Sequence, residues 1–339
     1  MNRIIELAAL AAALFLLLGC GEKREPAEEA AVNQEPAAEM PVPTPAPTPA
    51  PTPVLQPHVV EIRAVGKTFQ GPAKIPSGWI TFRFVNASSM VHFAIIDVPP
   101  EGVTIQAMSD AVMGPFQEAM DHMNAGDDEA VDAAFAKFPE WLGELGRNGG
   151  PGMLSAGRIG QTTVYLEPGH YIMECYVKSD GVFHTTSPGP GQLGMMLDLT
   201  VTAEPNGAPE PEADVTLAVR NSGLELTGGA LGPGLNTIRV DFIEQQMLPS
   251  FVGNDVHLMR VDGPQSIALA DAWMDWRSPD GLEDPGPVTF LGGINDMPAG
   301  SHGYFTASLE PGDYAFIAEM PGPQAAGFVM PFTVAAAAP

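Results

Sequence analysis

Leu166-Glu167-Pro168-Gly169-His170-Tyr171-Ile172-Met173-Glu174-Cys175 is the stretch that decides the fold. The turn dipeptide Pro168-Gly169 opens a run in which successive side chains alternate between the two faces of a β-strand. Tyr171, Met173 and Cys175 therefore share one face, and this apolar set is expected to point into a core. The Cys175 sulfur should then lie at one pole of a β-sheet domain.

The beginning of this stretch occurs twice, because Leu309-Glu310-Pro311-Gly312-Asp313-Tyr314 matches it at an offset of 143 residues. Upstream, Val91-His92-Phe93-Ala94-Ile95-Ile96-Asp97 matches Val256-His257-Leu258-Met259-Arg260-Val261-Asp262 at an offset of 165 residues. The order is kept, and an internal repeat of this kind indicates a duplicated unit. The economical interpretation is two β-sandwich domains of common descent.

Composition agrees with a mainly β fold. The chain has 339 residues with 37 Gly and 35 Pro, which favours short strands joined by tight turns and is long enough for two domains. We predict a first domain over residues 58–203 and a second over 214–335. The proline-rich acidic segment 204–213 is predicted to be a linker.

Residues 104–147 break the strand pattern, because helix-forming residues dominate there. Asp127 suits a helix N-cap and Pro115 suits a first helical turn. We predict a helical insertion in the first domain. Four methionines of this insertion stand at helical spacing, which is more typical of core packing than of metal binding. They are Met108, Met113, Met120 and Met123.

The first twenty residues read as an export signal. A positive charge at Arg3 precedes the apolar run 4–18, which is too short for a comfortable membrane-spanning helix. Leu17-Leu18-Gly19-Cys20 resembles the lipobox of bacterial lipoproteins, which implies lipidation of Cys20 and a membrane anchor. Gly21 stands where an aspartate is associated with inner-membrane retention, so the resemblance implies an outer-membrane protein facing the periplasm or the cell surface.

Residues 21–57 are rich in Glu, Ala, Pro and Thr and offer nothing to bury. They are predicted to be a disordered, stiff, proline-rich tether that holds the folded part away from the membrane. The formal net charge of −26 disfavours binding to nucleic acid, because such a charge repels phosphates, and it favours cationic partners.

Four residues of the first domain resemble the ligand set of the cupredoxin family of blue copper proteins. His92 follows an Asn86-led turn, Cys175 ends the Pro-Gly-x-Tyr strand, and His184 and Met195 follow it in order. The resemblance implies tandem Greek-key, cupredoxin-like β-sandwiches and one copper ion. It assigns His92 and His184 as imidazole ligands, Cys175 as the thiolate and Met195 as the axial thioether, a set that supports electron transfer.

This chain departs from the family pattern in two spacings. Eight residues separate Cys175 from His184 and ten separate His184 from Met195, both longer than in small blue copper proteins. Met196 is therefore an alternative to Met195 as the axial ligand. The second domain has Ala318 where Cys175 is expected, so it is predicted to bind no copper.

Two functions follow from these residues. The first is a lipid-anchored copper protein of the cell envelope that transfers electrons or handles copper, with a redox or copper-donor protein as its partner. The alternative is a metal-free binding or structural lipoprotein that acts through protein contacts. An enzymatic role as an oxidase is disfavoured, because multicopper catalysis uses His-x-His pairs and this chain has none.

Overall fold

Strands of the first half begin at His58, where the predicted domain begins. The computed structural model describes residues 56–336. The strands of the first half are β1 His58–Val65, β2 Thr68–Gln70, β3 Lys74–Asn86, β4 Ile95–Val98, β5 Gly146–Arg147, β6 Ile159–Leu166, β7 Gly169–Glu174, β8 Lys178–Ser179, β9 Val182–Phe183 and β10 Met196–Pro205.

These strands form the two layers of a sandwich. One layer has the order β2-β1-β3-β6, and the other has the order β3-β10-β7-β4-β5. The long strand β3 takes part in both layers, through its later residues in the first and its earlier residues in the second. Alternation gives the core: Val60, Ile62 and Ala64 of β1 are buried while Val59 is exposed.

The helical insertion is confirmed. It consists of α1 Ile105–Met108, a π-helical turn Ser109–Met113, α2 Gly114–Ala125, α3 Asp128–Phe135 and a 3₁₀ turn Glu140–Glu144. Asp127 caps α3 through a hydrogen bond from the Ala130 amide, and Pro115 lies in the first turn of α2, both as predicted. Gly126, with φ of 70°, ends α2 in the left-handed conformation that favours glycine.

The outer face of β7 is also buried, which alternation alone did not predict. Ile172 and Glu174, on the face opposite Cys175, are 0% and 2% exposed. Ile172 packs with Met108, Val112 and Met113 of the insertion. The insertion therefore covers the sheet like a third layer, and β7 is a core strand on both faces.

The second half repeats the strand order of the first. Its elements are β11 Val215–Arg220, β12 Gly223–Gly229, β13 Gly234–Phe242, β14 Val256–Arg260, α4 Ser266–Trp273, β15 Phe290–Ile294, β16 His302–Leu309, β17 Gly312–Ile317 and β18 Val329–Val334. The layers are β12-β11-β13-β16 and β15-β14-β17-β18. In both halves the first strand pairs parallel with the third, and this shared parallel pairing supports the duplication.

Strand pairing corrects the match between His92 and His257. Ile95 lies opposite Glu174, and Ile317, which stands 143 residues after Glu174, lies opposite His257. His257 is therefore equivalent in the sheet to Ile95, three residues beyond His92. Sequence similarity over seven apolar-rich residues did not fix this register, because hydrogen bonding between strands and the covering of each face decide it.

The two halves share a sheet. Strands β6 and β16 pair antiparallel at Thr163↔Tyr304, Thr162↔Phe305 and Gln161↔Thr306, which joins one layer of each sandwich edge to edge. Both halves fall in one compact unit. Between them, β10 extends to Pro205 and β11 begins at Val215. Edge pairing of this kind removes an exposed strand edge from each half.

Only the later part of the repeated segment 91–97 is regular strand, because β4 begins at Ile95. Regular pairing begins only at Ile95, and His92 instead forms an isolated antiparallel bridge with Leu154. The residues around His92 are held by a loop rather than by a neighbouring strand. The His92 side chain on this irregular segment lies next to the sulfur of Cys175.

The signal segment 1–20, the lipidation site Cys20 and the tether up to residue 55 lie outside the described residues. Among residues 56–336, no helix has the length and apolar character needed to cross a membrane.

Candidate metal centre

Cys175 is the first residue after β7 and is fully buried. Its amide donates a hydrogen bond to the Met195 carbonyl at 3.2 Å, which ties the end of β7 to the start of β10. Burial raises the pKa of the Cys175 thiol to about 12. The backbone N–H groups of Phe93 and Val177, which face the sulfur, have the opposite effect and lower this pKa. The described residues contain no second cysteine, so this thiol forms no disulfide there.

The turn led by Asn86 positions His92. The Asn86 side-chain amide donates to the carbonyls of Met90 at 2.7 Å and Leu154 at 2.8 Å. Its oxygen accepts from the Ser88 amide at 3.1 Å. His92 itself exchanges backbone hydrogen bonds with Leu154, at 3.2 and 2.8 Å. A buried asparagine with all these partners fixes the loop and hence the direction of the imidazole.

The long spacing between Cys175 and His184 is taken up by a β-hairpin. Strands β8 and β9 pair across Asp180 and Gly181, whose φ angles of 56° and 75° are those of a tight two-residue hairpin turn. The His184 amide then donates to the Val177 carbonyl at 2.8 Å. The hairpin therefore takes up the extra residues and brings His184 back next to Cys175.

The second long spacing is closed in the same way. The loop between His184 and Met195 leaves and returns, and the Met195 amide donates to the His184 carbonyl at 2.7 Å. Both spacings that are longer than in small blue copper proteins are therefore loops that return, so the residues at their two ends stay close together.

Three side chains predicted as ligands converge. The Cys175 Sγ lies 3.5 Å from His92 Nδ1 and 4.0 Å from His184 Nδ1. The two imidazole rings stand with centroids 4.9 Å apart. All three side chains are buried, and their ligand atoms lie within 4.8 Å of one another.

Electrostatics keep both imidazoles neutral. Burial lowers the pKa of His92 to about 4, although the Gly66 carbonyl raises it, and Lys67 lowers it further. Burial, the neighbouring His92 and Lys67 lower the pKa of His184 to about 2. Neutral imidazole is the form that binds metals, so its lone pair is available at Nδ1 over a wide pH range.

These residues fit a copper ion. Two ligand atoms that each lie about 2.0–2.3 Å from a shared ion at trigonal angles stand about 3.5–4 Å apart, as the sulfur and nitrogen atoms do here. A trigonal Cys-His-His set with a weak thioether is the donor set of blue copper sites. The outer nitrogen of His184 is bound to the Ser179 hydroxyl at 2.8 Å, which fixes the ring orientation.

The two axial candidates separate by face. Met195 is fully buried in the same core cluster as Cys175 and Met173. Met196 lies opposite Glu174 in the β7–β10 pairing and belongs to the cluster beneath the helical insertion. Alternation along β10 thus places Met195, and not Met196, on the sulfur side of the sheet.

Up to residue 336, where the described part of the chain ends, the second half has no equivalent donor set. Ala318, fully buried, follows β17 as Cys175 follows β7, and its amide donates to the Phe328 carbonyl as that of Cys175 does to Met195. Asp255, His257 and Glu319 do form a buried polar cluster in this half. The Nδ1 of His257 accepts from the Met153 amide at 3.2 Å, which places the ring proton on Nε2, 2.7 Å from Asp255 Oδ2.

Sequence reasoning missed the residues of the second half that hold the ligand loops. The Asp284 carboxylate accepts from the Val91 amide at 2.9 Å, and the Glu283 carboxylate accepts from the amides of Asp180 and Gly181. Lys178, buried between the halves, donates to three carbonyls of the segment 276–279. Their contacts span 98 to 193 positions, so no local pattern marks them.

Comparisons with known proteins give weak similarity. No family model matches the chain, and no curated protein matches it. Among solved structures, a dithionite-reduced auracyanin from Roseiflexus castenholzii is 16% identical at a TM-score of 0.28, covering 36% of this chain and 95% of its own. Auracyanin B is 22% identical at 0.28, covering 38% and 94%. A copper nitrite reductase from Nitrosomonas europaea is 13% identical at 0.21, covering 84% and 96%.

Proposed function

We propose that this chain binds a single copper ion in its first half and serves in electron transfer or copper handling. His92, Cys175 and His184 would hold the ion, with Met195 as the axial thioether. The observation that carries the proposal is the convergence of one thiol and two imidazole Nδ1 atoms at 3.5 and 4.0 Å in a buried site. A copper ion held by these residues would supply a Cu(I)/Cu(II) redox couple.

The protein's contribution is a donor set that is held before any ion arrives. The Asn86 turn fixes His92, the β8–β9 hairpin fixes His184, and the Met195 carbonyl fixes Cys175. Ligands that are locked by packing and hydrogen bonds rearrange little when the charge of the ion changes. This property suits an electron carrier.

Burial restricts the path between the site and any partner. His92 and Cys175 are 0% exposed and His184 is 2% exposed. The half-exposed Ser179, whose hydroxyl contacts His184 Nε2 at 2.8 Å and the Met90 sulfur at 3.5 Å, lies between the ring and the surface. We infer that a redox or copper-donor protein docks over Ser179 and Met90. With a net charge of −26, cationic partners are favoured.

Location follows from the N-terminal sequence. The lipobox-like Leu17-Leu18-Gly19-Cys20 supports a lipid anchor on Cys20, and the proline-rich stretch after it supports a spacer. We propose a protein of the bacterial cell envelope, attached to the outer membrane through this lipid.

The test is the visible absorption spectrum after one equivalent of Cu(II) is added to the purified protein. An intense thiolate-to-copper band is expected, and Cys175→Ser should abolish it. His184→Gln should shift or abolish the band, whereas the matched control His122→Gln, in the insertion and partly exposed, should leave it unchanged. No band in the unmodified protein would contradict copper binding and favour a metal-free binding or structural lipoprotein.

A further inference from the structure

A cavity of about 390 Å³ lies where the helical insertion, the outer face of β7 and the second half meet. It is on the side of β7 opposite the Cys175 sulfur, because Glu174 lines it while Cys175 faces the core. The proposed copper site does not use this cavity. A volume of this size accommodates a small organic molecule.

The walls are aromatic and aliphatic. Phe116 of α2 packs edge-on against Phe251 at 5.3 Å and Trp276 at 5.5 Å between ring centroids. Met108 and Met113, polarisable side chains that contact aromatic groups well, also line the cavity from the insertion. Such walls favour a ring over a flexible chain, since edge-to-face contacts reward a rigid aromatic group.

One buried polar atom in the lining lacks a hydrogen-bond partner. It is Ser250 Oγ, in a residue that is 1% exposed, whereas the Glu174 carboxyl shares a side-chain hydrogen bond with Asp97. A buried polar atom without a partner costs about 1–3 kcal/mol, so it calls for a ligand atom or a water molecule. The Ser250 carbonyl accepts from the Trp276 indole at 2.7 Å, so the serine is held in the wall.

Charge in the lining is already balanced. The Arg147 guanidinium forms an ion pair with Asp97 and stands 3.5 Å from Glu174 Oε1. The charge of Asp296 also raises the pKa of the Arg147 guanidinium. A ligand carboxylate would join a cationic group that several buried carboxyl groups surround, so a neutral ligand is favoured.

We propose that this cavity binds a neutral, ring-shaped small molecule carrying hydroxyl or carbonyl groups, of the quinone or phenol class. The ring would pack between Phe116, Phe251 and Trp276, and its oxygen would pair with Ser250 Oγ. Binding does not depend on copper, so the proposal stands apart from the proposed function.

The test is equilibrium dialysis of the metal-free protein with duroquinone. Every ring carbon of duroquinone without a carbonyl oxygen carries a methyl group, so the Cys175 thiol does not add to the ring. Saturable binding of one molecule per chain is expected. Decanoate, an aliphatic carboxylate of similar size, should bind at least 10-fold more weakly. Tighter binding of decanoate, or no saturable binding of duroquinone, would overturn the proposal.

Two pairs of variants locate the bound probe. Gly143 lines the cavity at an exposed edge, and a Cβ added there meets no atom within 4 Å, so Gly143→Leu should fold, and its longer side chain should obstruct the cavity. Binding should weaken at least 10-fold. Gly114→Leu is the matched control, because Gly114 has the same open space in the same insertion and does not line the cavity.

Ser250→Ala should weaken binding about 3- to 10-fold, the effect of one lost hydrogen bond. Its control is Ser109→Ala, which removes another buried, unpartnered hydroxyl outside the lining and should change affinity less than 2-fold. Circular dichroism of each variant verifies the fold. If duroquinone binds equally to Gly143→Leu and Ser250→Ala, the molecule lies elsewhere and the proposal is wrong.

Discussion

Asp284 accepts a hydrogen bond from the Val91 amide at 2.9 Å, so a carboxylate of the second half holds the residue next to His92. Its neighbour Glu283 accepts from the amides at the tip of the β8–β9 hairpin, which carries the chain to His184. Both histidine-bearing loops are therefore fixed by consecutive residues of a half that has no donor set of its own. Through these contacts the second half holds the two histidine-bearing loops of the site in place, which we call its framing role.

Removing this contact should loosen the site without removing a ligand. In Asp284→Ala, the Val91 amide loses a charged acceptor worth about 1.5–3 kcal/mol. We expect copper affinity to fall about 10-fold and the electron paramagnetic resonance lines of the Cu(II) form to broaden, as measured by competition titration and spectroscopy. Asp280→Ala, a change at an exposed aspartate in the same segment, is the control. Equal affinities for the two variants would contradict a framing role.

Lys178 should be important for stability. Its side chain is fully buried, and its ammonium donates to the carbonyls of Trp276, Ser278 and Pro279 at 3.0, 2.7 and 3.2 Å. Burial lowers its pKa to about 8. Lys178→Met leaves the Trp276 and Pro279 carbonyls without this donor, while the Ser278 carbonyl keeps the Gly281 amide, and we expect the free energy of unfolding to fall by about 2–4 kcal/mol in urea denaturation.

Lys137→Met is the matched control for that measurement. Lys137 is 52% exposed and pairs only with Glu118, so its loss should cost less than about 1 kcal/mol. A Lys178 variant as stable as this control would show that the buried ammonium does not join the halves.

The inward direction of the Cys175 side chain could be predicted from the sequence because it follows a local rule, whereas the other three donors were assigned by resemblance to a family. The Pro-Gly-x-Tyr turn sets the phase of β7, and alternation then sends Cys175 inward. The helical insertion was also predictable, since Asp127 and Pro115 mark helix starts by local chemistry. In each case the deciding residues lie within a few positions of one another.

What the sequence did not reveal depends on long-range pairing. The register of β14 against β17, the shared β6–β16 edge and the hydrogen bond from Val91 to Asp284 each join residues far apart in the chain. The hairpin that shortens the distance between Cys175 and His184 was recognisable only as an unexplained spacing. Composition does not reveal which loop residues return to a given point.

Substitution of each methionine tests the axial assignment. Met195→Leu should raise the reduction potential of bound copper and alter its visible bands, because a weak thioether contact is replaced by an apolar group. Met196→Leu changes a residue packed under the insertion and should leave the spectrum and potential unchanged. Spectroelectrochemistry of both variants measures the two quantities together. A larger effect from Met196→Leu would reverse the assignment.

Asp296 should make stability depend on pH. Burial raises its pKa to about 6 from 3.8; Arg147 lowers it, whereas Asp255 and Asp97 raise it further. The native state thus holds the proton more tightly than the unfolded state. Its contribution is complete below pH 3.8 and is lost as the pH rises through 6.

Asp296→Asn removes that dependence. Relative to the unmodified protein, the variant should gain about 1–3 kcal/mol in free energy of unfolding between pH 4 and pH 8, measured by urea denaturation at each pH. Asp280→Asn, at an exposed position, should follow the unmodified protein throughout. A constant difference between Asp296→Asn and the unmodified protein would show that Asp296 does not titrate in this range.

The two tyrosines of the repeated turn offer a test of structural equivalence. Tyr171 donates to the Glu167 carbonyl at 2.9 Å and Tyr314 donates to the Glu310 carbonyl at 2.9 Å, four residues upstream in each case. Both rings are buried, at 5% and 2% exposed. Tyr171→Phe removes one hydrogen bond and keeps the ring, so it should lower the free energy of unfolding by about 1 kcal/mol. Tyr314→Phe should cost about 1–2 kcal/mol, because the Tyr314 hydroxyl also accepts from the Glu310 amide at 3.2 Å.

Tyr171→Ala also removes the ring, and we expect a loss of about 3–5 kcal/mol in the same denaturation experiment. Copper binding should survive in Tyr171→Phe, because Cys175 lies four positions further along and is held by the Met195 carbonyl. If Tyr171→Phe abolished the copper band while Tyr314→Phe left it intact and both variants lost similar stability, the first tyrosine would be acting on the site itself rather than on the fold.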